Sequence, residues 1–145
     1  MKRLHCVRGG RRGDFERLYD GTSHTLRIAR DDVVGWLDEH GFDTELQDRA
    51  ALVLSELATN AVQAAPGNPY GVSVSQPDAQ SAVVAVTSRT EYEQPPPREH
   101  WRPTSVLAPR GRGLMIVDEL ADAVDVDVRE RDTVVVTATL RSSST

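Results

Sequence analysis

Two short stretches carry side chains whose types and spacing could do chemistry. The first is LSELATNA over residues 54–61, in which Glu56 and Asn60 stand four apart. On a helix that spacing sets the two side chains roughly 40° apart on one side. A carboxylate and an amide so placed can hold a divalent cation or orient a water beside a buried pocket. The pair also fits an ordinary amphipathic boundary, with Glu56 solvated and Asn60 bonded to nearby backbone. The second stretch is Gly111-Arg112-Gly113, which leads into an apolar pattern. Two glycines let backbone N–H groups approach an anion closely, and a helix start adds its positive dipole end. Arg112 could add a side-chain contact to phosphate. A plain loop end before a helix would look the same.

Other chemistry drops out quickly. The only lysine is Lys2, so no Walker-type phosphate loop exists. His5, His24, His40 and His100 share no metal-ligand spacing. Cys6 is the only cysteine, which excludes an intrachain disulfide and a cysteine-built zinc site and points to a reducing cytoplasm. Ser55 has no histidine placed to activate it in a recognisable pattern.

The helix that must carry Glu56 and Asn60 is expected from about Asp43 or Thr44 to Ala65. It ends where Pro66-Gly67-Asn68-Pro69 breaks the period. Its core face reads Leu46, Ala50, Val53, Leu57, Ala61 and Ala64. Before it, residues 14–20 alternate weakly as an edge strand, and Thr22 or Ser23 can cap a helix running to about His40. That helix has an apolar stripe of Leu26, Ala29, Val33, Val34, Trp36 and Leu37, and Gly41 stops it. Strands follow over 71–75 and 82–87, with Pro77-Asp78 as the hairpin turn. Residues 89–110 then have no usable period and hold five of the eight prolines. Loops beyond ~12–15 residues are uncommon in a compact domain and are usually functional or disordered. A short helix over about 114–121 and strands over 123–129 and 133–140 complete the pattern. Helices on one face of a mixed sheet fit this order.

With 145 residues, 39% apolar and 27% charged, the chain suits one soluble domain with one core. No apolar run approaches the ~18–20 residues of a membrane helix. The net charge of −5 hides a contrast, because Lys2, Arg3, Arg8, Arg11 and Arg12 give the first thirteen residues +5. Residues 1–13 are expected to be a basic flexible arm and 142–145 a frayed tail, around a single domain over 14–141. The acidic body argues against a dedicated nucleic-acid binder.

Taken together, LSELATNA, a strand pair, a long loop, GRGLMIVDELAD over 111–122 and a final strand pair resemble the Bergerat-fold (GHKL-type) ATPases. These include DNA gyrase, heat-shock chaperone ATPases and histidine kinases. The chain is most similar to the small single-domain ATP-binding proteins of the anti-sigma-factor serine kinase group, common in actinomycetes. That resemblance spans about residues 23–140. It implies an α/β (α+β) sandwich: a mixed sheet of four or five strands with three helices on one face.

The resemblance also implies roles. Asn60 would be the metal ligand, coordinating Mg²⁺ on the ATP phosphates, and Glu56 the general base on a substrate serine. Gly111, Arg112, Gly113 and Leu114 would lie at the phosphates, Thr133 near the adenine, and the segment of about 89–110 would be the ATP lid. The family expects an aspartate at the end of the second strand of the central pair to read the adenine amino group. Here Ser88 stands at that position. The implied function is an ATP-binding regulator that phosphorylates a serine of an antagonist and binds a partner such as a sigma factor, with a homodimer allowed. The alternative is a degenerate binding module with weak or no nucleotide binding, which Ser88 favours.

Overall fold

A computed structural model describes residues 14–89, 109–129 and 133–142, with only the backbone described over 109–114. The basic arm over 1–13, nearly all of the expected lid (90–108) and the last residues of the tail (143–145) lie outside the described residues. The elements are β1 (Phe15–Tyr19), α1 (His24–Glu39), α2 (Thr44–Ala64), β2 (Tyr70–Asp78), β3 (Ser81–Arg89), α3 (Pro109–Leu120), β4 (Ala123–Arg129) and β5 (Thr133–Arg141). The strands form one sheet in the order β1-β2-β3-β5-β4.

Every strand pair is antiparallel, which corrects the expected mixed sheet. The reason lies in the connections. An antiparallel helix hairpin separates β1 from β2, so β2 returns alongside β1 in the opposite sense. The β3-α3-β4 crossover is of the parallel kind, but β5 folds back from β4 and inserts between them. Strands β3 and β4 thus run the same way without ever pairing.

Helix α1 ends at a left-handed Gly41 (φ 87°). The Gly41 N–H donates to the Asp38 carbonyl (3.2 Å) and the Phe42 N–H to the Leu37 carbonyl (3.1 Å), the paired bonds of a Schellman stop. Buried Phe42 and Leu37 supply its apolar contact. Helix α2 then starts at once, because the Asp43 carboxylate accepts from the Leu46 N–H at 3.0 Å. The corner is locked by buried Gln47, whose amide donates to the Phe42 carbonyl (2.8 Å) and to Asp38 Oδ1 (3.1 Å). At the other end of α1, Ser23 makes no side-chain cap. The Thr25 hydroxyl lies within hydrogen-bond distance of the Asp20 and Thr22 carbonyls instead.

The core lies between the helices and one face of the sheet. In register across that face stand Val74, Val84, Ala138 and Val124. Helix α2 packs on β3, β5 and β2, while α1 reaches β1 and α3 reaches β4, so the three helices share that face. All six core residues read for α2 are buried. So is Trp36 on α1.

Two local expectations change. Pro77 and Asp78 belong to β2, and the turn is Ala79-Gln80. Pro77 falls where the ladder to β3 shifts register, a place that tolerates a residue without an N–H. Asp78 Oδ1 closes the turn by accepting from the Gln80 N–H at 2.9 Å. Helix α3 begins at Pro109, well before Leu114. Proline is pre-shaped for the first helical position, so the Gly-Arg-Gly stretch is drawn into the helix.

A polar seam joins α1 to the sheet edge. The Tyr19 hydroxyl donates to Asp32 Oδ2 at 2.6 Å, and Arg17 pairs with the same oxygen at 2.7 Å. The Tyr19 and Tyr70 rings stack 5.6 Å apart, and the Tyr70 and Thr25 hydroxyls share a hydrogen bond of 2.8 Å. Burial raises the pKa of both phenols above the ordinary 10.0, and the Asp32 carboxylate adds to the rise at Tyr19.

Two predictions follow from these local details. Gly41→Ala should destabilise the fold by about 1–2 kcal/mol, because its left-handed φ penalises a Cβ that meets nothing else. Gly35→Ala, in the middle of α1 with open space around it, should stabilise by about 0.5–1 kcal/mol. Urea midpoints of the two variants should move in opposite directions. For the phenols, a folded-state pKa above the unfolded one means their contribution is complete below about pH 10 and is lost as the pH climbs further. Tyrosinate absorbance of the folded chain should lag that of the denatured chain above that pH, with stability falling in parallel.

Candidate functional site

Glu56 and Asn60 stand on one flank of α2, beside its buried face. Both are half-buried, and among the described residues neither side chain is held by an ion pair or hydrogen bond. Arg49 lies on the same flank, seven residues before Glu56, since two turns of helix bring position 49 between the directions of 56 and 60. The direction of that flank is fixed by what Arg49 touches. Its guanidinium Nη1 donates to the carbonyl of Leu120, the last residue of α3, at 3.1 Å. The flank therefore faces α3.

The two helices run antiparallel, because α2 leads into β2 and α3 leads into β4, and those strands point in opposite senses. From Arg49 to Asn60 is eleven residues, about 16.5 Å of helix, and from Leu120 back to Pro109 is the same length. With their far ends clamped at Arg49, the upper half of α2 comes level with the first turns of α3. That end of α3 carries Gly111 and Gly113.

The glycines do not act alike. A helix starting at Pro109 leaves the N–H groups of Arg110 and Gly111 without intrahelical partners, whereas that of Gly113 belongs to the ladder. Leu114 is also within the helix. The side chains of Arg112 and Leu114 lie outside the described residues.

On the sheet, Ser88 pairs with Val134 near the end of β3 and shares the helix-covered row with Val84 and Val86. It is on the same side as α2. Thr133 pairs with Arg89 and Arg129, one position out of phase, and so belongs to the opposite face. Strand alternation turns it to the face away from α2. At the other end of the α2 flank, an open cleft of about 390 Å³ is lined by Glu45, Arg49, Leu120, Asp122 and Arg141, among others. It is a separate feature from the Glu56–Asn60 end.

A model of the histidine kinase-like ATPase domain matches residues 21–139. The chain belongs to that family. Among solved structures, it is similar to "the RsbU and RsbW domains of Rv1364c from Mycobacterium tuberculosis", with a TM-score of 0.66 and 17% identity. That match covers 88% of this chain and 32% of the other, so the chain spans about a third of that protein's length. It is also similar to a structure of the SiaB-SiaC complex from Pseudomonas aeruginosa, with a TM-score of 0.64 and 12% identity, covering 85% and 88% of the two chains. At these identities the likeness is one of fold. No curated protein matches the sequence. Among the described residues, no helix is long and apolar enough to cross a membrane.

The residue that sequence reasoning missed in this histidine kinase-like domain is Arg49. Its signal was present: it follows Glu45 by four and precedes Glu56 by seven, on a flank already singled out.

Proposed function

We propose that the chain is an ATP-binding regulatory protein that transfers the γ-phosphoryl group of Mg·ATP to a serine of a partner protein. The observation that carries this reading is the half-buried Glu56–Asn60 pair, unengaged among the described residues, on the flank of α2 that Arg49 ties to α3. The family description, an ATPase domain, supports the nucleotide. That one similar structure is a two-protein complex supports a regulatory protein partner, such as a sigma factor or an antagonist.

The residues suit Mg²⁺ with few protein ligands. The Asn60 amide oxygen is the hard neutral donor such an ion accepts, and Mg²⁺ takes its other ligands from phosphates and water. Among the described residues, no group of three His, Cys, Asp or Glu stands together that could hold a cation unaided. When bound, the ion would neutralise charge on the phosphates. Arg110 and Gly111 offer free N–H groups at the positive end of α3 for the phosphate oxygens. Glu56, about one turn from Asn60, accepts the proton of the attacking serine hydroxyl. The serine oxygen bonds to the γ-phosphorus as the bond to ADP breaks. Positioning then supplies most of the catalysis.

The second reading, a binding module that keeps the fold and the partner surface without catalysis, is favoured by Ser88. A carboxylate hydrogen bond to adenine is worth ~1.5–3 kcal/mol, and a serine hydroxyl does not replace its charge.

Three variants separate these readings. Asn60→Ala should abolish Mg²⁺-dependent nucleotide binding in a calorimetric titration. Glu56→Ala should bind almost as the native chain does but stop transfer of radiolabelled γ-phosphate to a captured partner. Transfer by native protein and not by Glu56→Ala supports the kinase; a stable complex with no transfer by either supports the module. Equal transfer by both removes Glu56 from the mechanism. Ser88→Asp should tighten ATP over GTP by about 10–150-fold. Tight, ATP-selective binding by the native chain would show that another residue reads the base.

A further inference from the structure

We propose that Arg49 is a positioning residue that sets where α3 lies along α2, and thereby the reach between the first turn of α3 and the Glu56–Asn60 pair. The proposal rests on the ATP-binding reading above. Arg49 is anchored on all sides although its side chain is still 18% exposed. Nη1 donates to the Leu120 carbonyl (3.1 Å) and lies 3.6 Å from Asp122 Oδ2. Nη2 donates to the Arg141 carbonyl at 2.6 Å and to Glu45 Oε1 at 3.3 Å. Nε lies 2.9 Å from Glu45 Oε2, but its N–H is not aimed there, so this contact is an ion pair without a hydrogen bond.

One planar group thus ties α2 to the last carbonyl of α3 and to the end of β5. The carbonyls at a helix C-terminus lack intrahelical donors, and a cation there also meets the negative dipole end. Asp122 makes the anchor rigid. Its carboxylate accepts the Arg141 N–H at 2.7 Å, and its own N–H donates to the Thr139 carbonyl at 2.8 Å. The turn after α3 is therefore fixed to the sheet, and Arg49 fixes α2 to that turn. A slip of one residue between the helices would move the first turn of α3 by about 1.5 Å relative to Asn60. Misplacements near 1 Å at a reacting centre can cost on the order of 10²-fold. Lysine cannot reproduce this anchor, since a point charge on a single nitrogen lacks the fork of donors that reaches two carbonyls and Glu45 together.

The test is a pair of variants of the full chain, Arg49→Met and Arg49→Lys, titrated with Mg·ATP and with AMP well below their melting midpoints. The ratio of the two affinities reports how well the outer phosphates are held, and a loss of folded protein leaves that ratio unchanged. Arg49→Met should reduce it about tenfold, with AMP affinity changed less than twofold and Arg49→Lys in between. Equal losses for both nucleotides, or an unchanged ratio, would overturn the proposal. Should Arg49→Met fail to fold, the ratio in Arg49→Lys decides alone, reduced for the proposal and unchanged against it. A native chain that binds ATP no better than AMP would instead overturn the ATP-binding reading, and the inference with it, before any variant is made.

Discussion

Helix α2 has to satisfy two demands with one sequence. It must bury a whole face against the sheet and two flanking helices, which requires an unbroken apolar arc. It must also hold a carboxylate and an amide beside that arc without losing them to solvent. Val53, Leu57 and Ala61 meet the first demand at 0–5% exposure. Small Ala50, Ala58 and Ala61 let the neighbours approach closely, so side chains at the margin are carried partly inside. Glu56 and Asn60 are half-buried for that reason. Pulling α2 away from the sheet would return both to water, where a low local dielectric no longer strengthens what they bind.

In the proposed reading, the antiparallel topology turns that margin into a site. Because α2 and α3 run in opposite senses, the late turns of one meet the early turns of the other. Early turns of a helix present free N–H groups, and late turns present free carbonyls. In that reading the Glu56–Asn60 end meets donors, which suit an anion. The Arg49 end faces the carbonyl of Leu120, which suits a cation. One helix pair would thus have a chemical end and a structural end, with each residue type where the backbone polarity favours it.

Much of this was legible from spacing. Residues four apart on a long amphipathic stretch showed the Glu56–Asn60 flank, and Asp43 and Gly41 marked the corner between the first two helices. What escaped depended on neighbours far away in sequence. Periodicity shows a strand but not its partner, so the insertion of β5 between β3 and β4 was hidden, and the sheet was expected to be mixed. Pro77 is a strong turn signal locally, yet a register shift in the ladder accommodates it within β2. Thr133 opens a strand as expected, but its face is set by pairing with Arg89 and Arg129. Arg49 follows Glu45 by four, the spacing of an ordinary helical ion pair, and only the fold brings Leu120 and Arg141 to it.

Ser88 shows how unevenly a site of this kind can divide its recognition. In the proposed reading, phosphate oxygens are met by backbone N–H groups and by a metal on Asn60, features that ignore the base. Reading the base falls to the end of β3, where a residue on the helix-facing row can point into the space beneath α2. A carboxylate there only accepts, so it favours the amino group of adenine and repels the carbonyl of guanine. A serine hydroxyl both donates and accepts, and it carries no charge. It can therefore bond either group at similar strength, about 1 kcal/mol net. Recognition then shifts to the helix ends, where the spacing of α2 and α3 decides how well a triphosphate is told from a monophosphate. The geometry that Arg49 maintains matters more in such a site than it would in one whose base is firmly held.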